Sequence, residues 1–229
     1  MFIPHKKTIE IGSSNSSNVA FWETQRHLAQ FEFARQIQRE FVEGSGIAAD
    51  LYRVATQIVG DTEALPGGEV AYPIHEALNW TLTRFGQQAR LSLYAVLLRN
   101  QDGSTWQAKL SRPRTDAKGK PQKYETPVGN RSRAYFPEVP AAIRQLISHR
   151  YGVPVPATGS FWDWVEAHPE IPMVPTEGGK KGLALLSQGF VPLALYGVNG
   201  GYRKVPGDGR ELIPDVARFA PVSYTHLTL

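Results

Sequence analysis

One segment in the C-terminal third of the sequence constrains the fold more than any other. An apolar run at 171–176 is followed by Glu177, two glycines and two lysines, and then by a helix-like segment at 180–188 that Gly189 closes. A second apolar run follows at 191–196. The order strand, turn, helix, strand predicts a right-handed crossover between two parallel strands. We therefore expect an α/β protein with a parallel sheet here.

The turn between the first strand and the helix is a candidate binding site. Ligands of parallel sheets bind where strands run into helices, and Glu177 lies at such a point. Gly178 and Gly179 would allow a ligand to approach the backbone closely. Lys180 and Lys181 occupy the first helical turn, where the helix dipole disfavours cations, so a bound phosphate would explain them. Glu177 would then bind a divalent metal or move a proton.

A second interpretation of the same turn needs no ligand. The carboxylate would simply oppose the helix dipole, and both lysines would point into water. The residue types and their positions leave the two interpretations open.

The chain before this segment predicts a different organisation. Residues 1–19 are polar and predict a disordered tail, whereas residues 20–153 predict a helical and then mixed α+β region. The apolar positions of its main helix step by three or four residues: Leu28, Phe31, Ala34, Ile37 and Phe41. Two β-prone runs around the Asp-Gly pair at 102–103 predict a hairpin. Ser160, with Asp163 three residues later, predicts a helix start.

Positive charge is concentrated at residues 109–133, which contain eight basic and two acidic residues in a chain of net charge +4. Its prolines and glycines predict a mobile loop. Aromatic residues are interleaved with the charges, namely Trp106, Tyr124, Tyr135 and Phe136. Charge for phosphates and rings for bases are what a groove for single-stranded nucleic acid needs. The candidate contacts are Lys109, Arg112, Arg114, Lys118, Lys120 and Lys123; the alternative is a solvated loop.

Several classes of function are disfavoured. The chain has no cysteine, which excludes thiol catalysis and disulfides and makes the cytoplasm the expected location. Residues 182–202 lack charge, but five glycines and Pro192 interrupt them, so no membrane span is expected. Four histidines show neither the spacing of metal ligands nor an acidic partner, and they are expected to be structural or at the surface: His27, His75, His149 and His168.

The run "FWDWVEAHPEIPMVPTEGGKKGLALLSQGFVPLALYGVNGGYR" at 161–203 is similar to a Toprim-like domain of unknown function in plasmid replication proteins of the cyanobacterial type. These proteins often combine primase-like and helicase regions. The segment "GKPQKYETPVG" at 119–129 resembles their upstream region. A Glu-Gly pair between a strand and a helix also resembles the first half of the Toprim fold of primases, topoisomerases and some nucleases. The resemblance implies a partial Toprim-like domain at 154–221.

The resemblance also implies roles for individual residues. Glu177 takes the place of the Toprim glutamate, a general acid or base near the metal, and Lys180 and Lys181 match a lysine pair of the plasmid-type domain. The family further needs an Asp-x-Asp motif for Mg²⁺, and none follows Glu177 here; Asp208 and Asp215 are isolated and expected to be structural. Glu177 would thus be part of an incomplete metal site. Pro175 also departs from a regular strand because it lacks a backbone donor.

The implied function is a fragment of a plasmid or mobile-element replication protein. In the intact parent the domain would support Mg²⁺-dependent, primase-like nucleotidyl transfer, with single-stranded DNA and nucleotides as partners and no membrane. The alternatives are a non-catalytic single-stranded DNA-binding module and a Toprim-type nuclease. The last residues, "VSYTHLTL" at 222–229, resemble a translated sequencing-adaptor tail. We therefore expect a non-native tail and a truncated, inactive fragment.

Overall fold

The computed structural model describes residues 14–85, 91–116, 118–197, 199–206 and 209–220. Its helices are α1 (Ser14–Gln38), α2 (Ala49–Ala55), α3 (Pro73–Ala77), α4 (Ala141–Tyr151), α5 (Phe161–Glu166), α6 (Gly179–Ser187) and α7 (Pro214–Ala217). A π-helical turn, Arg39–Glu43, continues α1, and a 3₁₀ turn spans Leu82–Arg84.

Strands alternate with these helices along the chain. They are β1 (Thr56–Gly60), β2 (Glu63–Ala64), β3 (Val70–Ala71), β4 (Tyr94–Arg99), β5 (Thr105–Leu110), β6 (Met173–Glu177), β7 (Val191–Leu195), β8 (Tyr202–Val205) and β9 (Gly209–Leu212). Antiparallel pairs and one parallel pair occur together among the described residues. The mixed helix and strand content agrees with the predicted α/β class.

The largest sheet is antiparallel, with β4 between β1 and β5. β4 and β5 form the predicted hairpin, and Gly103 in its turn has a φ of +80°, which glycine adopts without strain. Successive side chains of a strand point to opposite faces of the sheet. Accordingly Val96 and Leu98 enter one hydrophobic cluster, whereas Ala95 and Leu97 enter another. The sheet therefore has a packed core on both faces.

Helix α1 packs on this sheet through a face that differs from the predicted one. Phe33, Ile37 and Phe41 are buried, whereas Leu28 is 52% and Phe31 61% exposed. The ring of Phe33 lies against Tyr94 of β4, with centroids 6.3 Å apart. The predicted buried face is therefore confirmed at Ile37 and Phe41 and wrong at Leu28 and Phe31. Both faces of the helix carry apolar residues, and contact with the sheet selects one of them.

The predicted crossover is present: β6 and β7 are parallel, with Met173 opposite Val191 and Glu177 opposite Leu195. Helix α6 joins them and buries Leu183 and Leu186. Pro175 does not prevent strand formation, because β6 pairs only with β7 in the described part of the chain and edge strands tolerate proline.

A buried arginine organises the connection between α4 and α5. The guanidinium of Arg144, which is 2% exposed, donates to the carbonyl oxygens of Val139, Pro156, Thr158 and Gly159. The Pro-rich connector is thereby fixed to α4. Helix α5 then starts as predicted, since Ser160 Oγ accepts the backbone N–H of Asp163 at 3.3 Å.

The core does not follow the predicted division of the chain at residues 153 and 154. One cluster contains Phe41 and Trp106 from the first part together with Trp162 and Leu193 from the second. The two regions therefore share a core, and the domain boundary itself stays a prediction.

The predicted terminal segments are described only in part. Residues 14–19 of the expected tail belong to α1, whereas residues 1–13 and 221–229, with the expected non-native tail, lie outside the described residues. Within the described residues, none of the helices combines the length and the apolar character needed to cross a bilayer.

Candidate functional site

The site is built on the turn from β6 into α6. Glu177 is the last residue of β6 and is exposed. Gly178 follows with a φ of +87°, and its N–H donates to the carbonyl of Leu195 at the end of β7 (2.8 Å). The turn thus holds Glu177 at the carboxyl edge of the parallel pair. None of the described residues pairs with its carboxylate.

Gly179 is required by packing inside the protein, which corrects the prediction that it lets a ligand approach. A Cβ at Gly179 would lie 2.8 Å from Leu98 Cδ1, 2.9 Å from Trp106 Cζ3 and 3.2 Å from Tyr135 Cδ1. A Cβ at Gly178 would meet nothing within 4 Å. Gly179 therefore brings the start of α6 against the large sheet, and only Gly178 adjoins open space.

We expect Gly179→Ala to lower the free energy of unfolding by about 1–3 kcal/mol, because the added methyl overpacks the contact with Leu98 and Trp106. Urea denaturation measures the change. Gly197→Ala is the matched control, since a Cβ there would have nothing within 4 Å and no positive φ to strain. Equal stability of Gly179→Ala and the wild type would contradict the packing role.

The two lysines of the turn have different surroundings. Lys180 Nζ donates to Glu40 Oε1 at 3.0 Å and lies 5.7 Å from the ring centroid of Phe41. Lys109 donates to the other oxygen of Glu40. Lys181 is exposed, and no ion pair holds it among the described residues. Within the predicted lysine pair, Lys181 alone is thus unpaired, while Lys180 and Lys109 share a carboxylate.

Glu40 is a residue that the sequence analysis missed. It lies in the π-helical turn after α1, and such turns are frequent at functional sites. Burial raises the pKa of the Glu40 carboxyl, but Lys109 and Lys180 outweigh burial and hold the pKa below its usual value. Nearby, burial raises the pKa of Tyr124 to about 12, and the charge of Glu40 adds to the effect.

The depressed pKa of Glu40 predicts a pH-dependent contribution to stability. A carboxyl whose pKa is lower in the folded state stabilises the fold above its usual pKa of 4.5, and loses this effect as the pH falls through the folded-state pKa. We expect Glu40→Gln to cost up to about 1 kcal/mol at pH 7, since the cluster is partly exposed. The difference from the wild type should shrink below pH 4.5.

Denaturation at several pH values measures this difference. Glu43→Gln, an exposed glutamate of the same turn, is the matched control and should show no such trend. A pH-independent difference for Glu40→Gln would contradict the role of the two lysines.

The basic segment is more ordered than predicted. Thr115 and Pro121 form a β-bridge, and Asp116 Oδ1 accepts the backbone N–H groups of Lys118 (2.8 Å) and Lys120 (2.9 Å). These contacts make a small hairpin. The aspartate and the cross-strand bonds thus give part of the predicted loop a defined turn, at 114–116 and 118–122.

The basic side chains of this segment fall into two groups. Arg114 makes two hydrogen bonds to Glu125, at 2.8 and 2.7 Å, and Glu125 is 2% exposed. Arg112 donates to Ser92 Oγ. The exposed lysines lie at or near the hairpin tip: Lys118, Lys120 and Lys123. These lysines keep the best position for a phosphate contact, whereas Arg114 and Lys109 are held by internal carboxylates.

The aromatic side chains are not placed for stacking on bases. Trp106 and Tyr135 are each 1% exposed and Phe136 is 6% exposed. Trp106 stacks between Tyr135 (4.8 Å) and Tyr196 (4.7 Å), and its Nε1 donates to the Arg133 carbonyl. Tyr124 is half-buried. Aromatic and basic residues therefore alternate in the sequence, but three of the four rings, those of Trp106, Tyr135 and Phe136, lie in the core.

The remaining carboxylates do not complete a metal site in the described part of the chain. Asp215 lies in the first turn of α7 and accepts the backbone N–H of Ala134 (3.0 Å), as expected of a structural aspartate. Asp208 lies outside the described residues. Among the described residues there is no group of three or more His, Asp or Glu side chains arranged to hold a metal ion.

His75 and Asp61 form a buried pair, and the expectation that His75 has no acid partner is therefore wrong. His75 Nδ1 lies 2.6 Å from Asp61 Oδ2, and the backbone N–H of His75 donates to Asp61 Oδ1 at 3.1 Å. Both residues are 1% exposed. Burial raises the pKa of the Asp61 carboxyl, against a lowering by His75. The His75 ring also packs edge-on against Trp80, with centroids 5.8 Å apart, which agrees with a structural role, one of the two roles expected for His75.

Comparison with known proteins gives two matches. Residues 161–226 match the protein family described as "Domain of unknown function (DUF3854)". The chain is also 32% identical over 197 residues to an uncharacterized protein of Picosynechococcus sp., and the alignment covers 80% of the chain. It covers 19% of that relative, so the chain spans about a fifth of the length of the curated relative that it matches. No solved structure matches the chain.

These matches confirm the coarse part of the resemblance. The region that carries Glu177 is similar to a domain of unknown function, and the chain has an uncharacterized, much longer relative.

Proposed function

We propose that the chain is part of a larger plasmid or mobile-element replication protein. In that protein, the region of β6, α6 and β7 is a Toprim-like domain that supports Mg²⁺-dependent nucleotidyl transfer. The observation that carries the proposal is the exposed, unpaired Glu177 at the carboxyl end of a parallel strand, directly before a glycine turn and a helix. Ligands of open parallel sheets bind at such edges. The much longer relative supports a larger parent.

Glu177 is suited to move a proton. Its carboxylate is exposed, no described residue competes for it, and Lys181 nearby is unpaired and able to attract a phosphate. Gly178 leaves open space beside it.

The described residues do not by themselves fit a Mg²⁺ site. Magnesium is bound by carboxylates together with substrate phosphates and water. At this turn the described part of the chain offers Glu177, and the neighbouring Glu40 is already held by Lys109 and Lys180. Further ligands would have to come from other parts of the parent protein.

The sequence of the parent provides a direct test. We expect an apolar strand ending in Asp-x-Asp beyond α7, because paired carboxylates are what metal-assisted phosphoryl transfer requires. Replacing both aspartates by asparagine in the full-length protein should abolish primer synthesis on a single-stranded template. A parent without this motif, or with full synthesis after the replacement, would overturn the proposal.

A second candidate is a non-catalytic module that binds single-stranded DNA. It is favoured by the exposed lysines at the hairpin tip, Lys118, Lys120 and Lys123. Because the neighbouring rings are buried, such binding would rest on phosphates, fall steeply with salt and need no metal. A Toprim-type nuclease would instead cut the supplied DNA.

A further inference from the structure

A groove of about 760 Å³ lies between α1 and the ends of strands β4 and β5, and Glu177 is not among its lining residues. Arg35 and Arg39 line it from the helix side. Ser92, Ser111 and Arg112 line it from the sheet side, next to the ends of β4 and β5. Nothing in the Glu177 site uses this groove.

The groove carries more positive than negative charge. Arg35 and Arg39 are exposed and four residues apart, so they are neighbours on one helix face and repel each other. Among the described residues no acidic partner holds either of them. Arg112 adds a third guanidinium, whose Nη2 donates to Ser92 Oγ at 2.5 Å. Glu32 is the acidic residue of the lining, which leaves an excess of positive charge.

Two aromatic rings form the floor of the groove, but little of their surface is accessible to a ligand. Phe33 is 9% and Tyr94 7% exposed, and their rings pack on each other. Bases would therefore find little ring surface to stack on. The exposed guanidinium groups of Arg35 and Arg39 present planar forks that match the oxygens of phosphate.

We propose that this groove binds the phosphodiester backbone of a single-stranded nucleic acid. The concave shape suits one strand, and three arginines suit successive phosphates better than one free anion. Arg112 also begins the segment whose exposed lysines lie at the hairpin tip, so positive charge continues along the chain from the groove. The inference does not depend on Glu177, which lies outside the groove, and it stands if Glu177 has no catalytic role.

Fluorescence anisotropy of a labelled oligothymidylate with the 229-residue chain tests the proposal. We expect Arg35→Ala/Arg39→Ala to weaken binding on the order of tenfold and to reduce the slope of log affinity against log salt by about 1.4, which corresponds to two phosphate contacts on a single strand. Arg53→Ala, an exposed arginine of α2 outside the groove, is the matched control and should bind like the wild type. Circular dichroism and thermal melting check that each variant is folded.

Competition experiments distinguish a nucleic-acid strand from other phosphate-containing ligands. Inorganic phosphate and a mononucleotide should compete weakly, a duplex should bind less tightly than a single strand, and polyglutamate should not compete at matched charge. The proposal is overturned if the wild type does not bind the oligonucleotide, or if the double variant binds like the wild type. It is also overturned if Lys118→Ala/Lys120→Ala alone abolishes binding of the oligonucleotide. The same holds if polyglutamate competes as well as the unlabelled oligonucleotide does.

Discussion

Glu177→Ala in the full-length parent is expected to reduce primer synthesis by on the order of 100-fold or more, the usual effect of losing a general acid or base. The side chain is exposed and unpaired, so its removal breaks no described contact and the fold should be retained. The loss should appear in the rate of nucleotide incorporation at saturating nucleotide, because a proton-transfer group acts on the transition state.

Glu170→Ala is the matched control for this prediction. Glu170 is also an exposed glutamate, and it precedes β6 instead of ending it. We expect synthesis close to that of the wild type. Equal activities of Glu177→Ala and Glu170→Ala would show that the β6–α6 turn is not catalytic, and would leave the binding module as the better account.

Asp61→Ala is expected to cost about 3–5 kcal/mol in the free energy of unfolding, the largest stability effect that we predict. Removing the carboxylate takes away the charge that faces His75 Nδ1 and the acceptor of the His75 backbone N–H, and His75 is 1% exposed. Since domains are stable by about 5–15 kcal/mol, such a loss is a large part of the total. Urea denaturation measures it, and Glu63→Ala, an exposed carboxylate of β2, should change stability little.

A double variant keeps this test informative if Asp61→Ala does not fold. Replacing both partners, as in Asp61→Leu/His75→Phe, removes the unpaired imidazole and should recover part of the loss, because the backbone N–H of residue 75 still lacks the acceptor that Asp61 Oδ1 supplies. The pairing would be contradicted if Asp61→Ala cost no more than Glu63→Ala, or if the double variant were less stable than Asp61→Ala.

Local patterns predicted the crossover and the hairpin well. The strand, glycine turn, helix and strand from 171 to 196 are encoded by adjacent residues, and the structure shifts their bounds by only one or two positions. The Asp-Gly turn between β4 and β5 and the Ser160 cap are also local signals. Such features depend on residues close in sequence, which is why the sequence reveals them.

The surroundings of the site depend on distant residues and were not predictable in the same way. Glu40 meets Lys109 and Lys180 across 69 and 140 residues of sequence. No periodicity identifies such a partner. The composition of the basic segment predicts a mobile loop, yet the segment pairs with β5 and places Glu125 in the interior.

The roles of glycine and aromatic residues were misjudged for a related reason. The residue types of Gly179 and Trp106 predict a ligand-facing role for each, but the structure places them in contact with each other. The close packing of α6 on the sheet explains why both residues are buried. The groove at α1 could likewise not be predicted from the sequence. Arg35 and Arg39 lie far from Arg112 along the chain, and only the fold brings the three arginines to one groove.

Nucleotide incorporation by the full-length parent on a single-stranded template, with Mg²⁺ and again after chelation of the metal, tests the central proposal most directly. We predict template-dependent products with Mg²⁺ and their loss on chelation, while DNA binding through the basic groove and hairpin persists. DNA binding without incorporation under either condition would contradict the proposal of a nucleotidyl transfer site at Glu177.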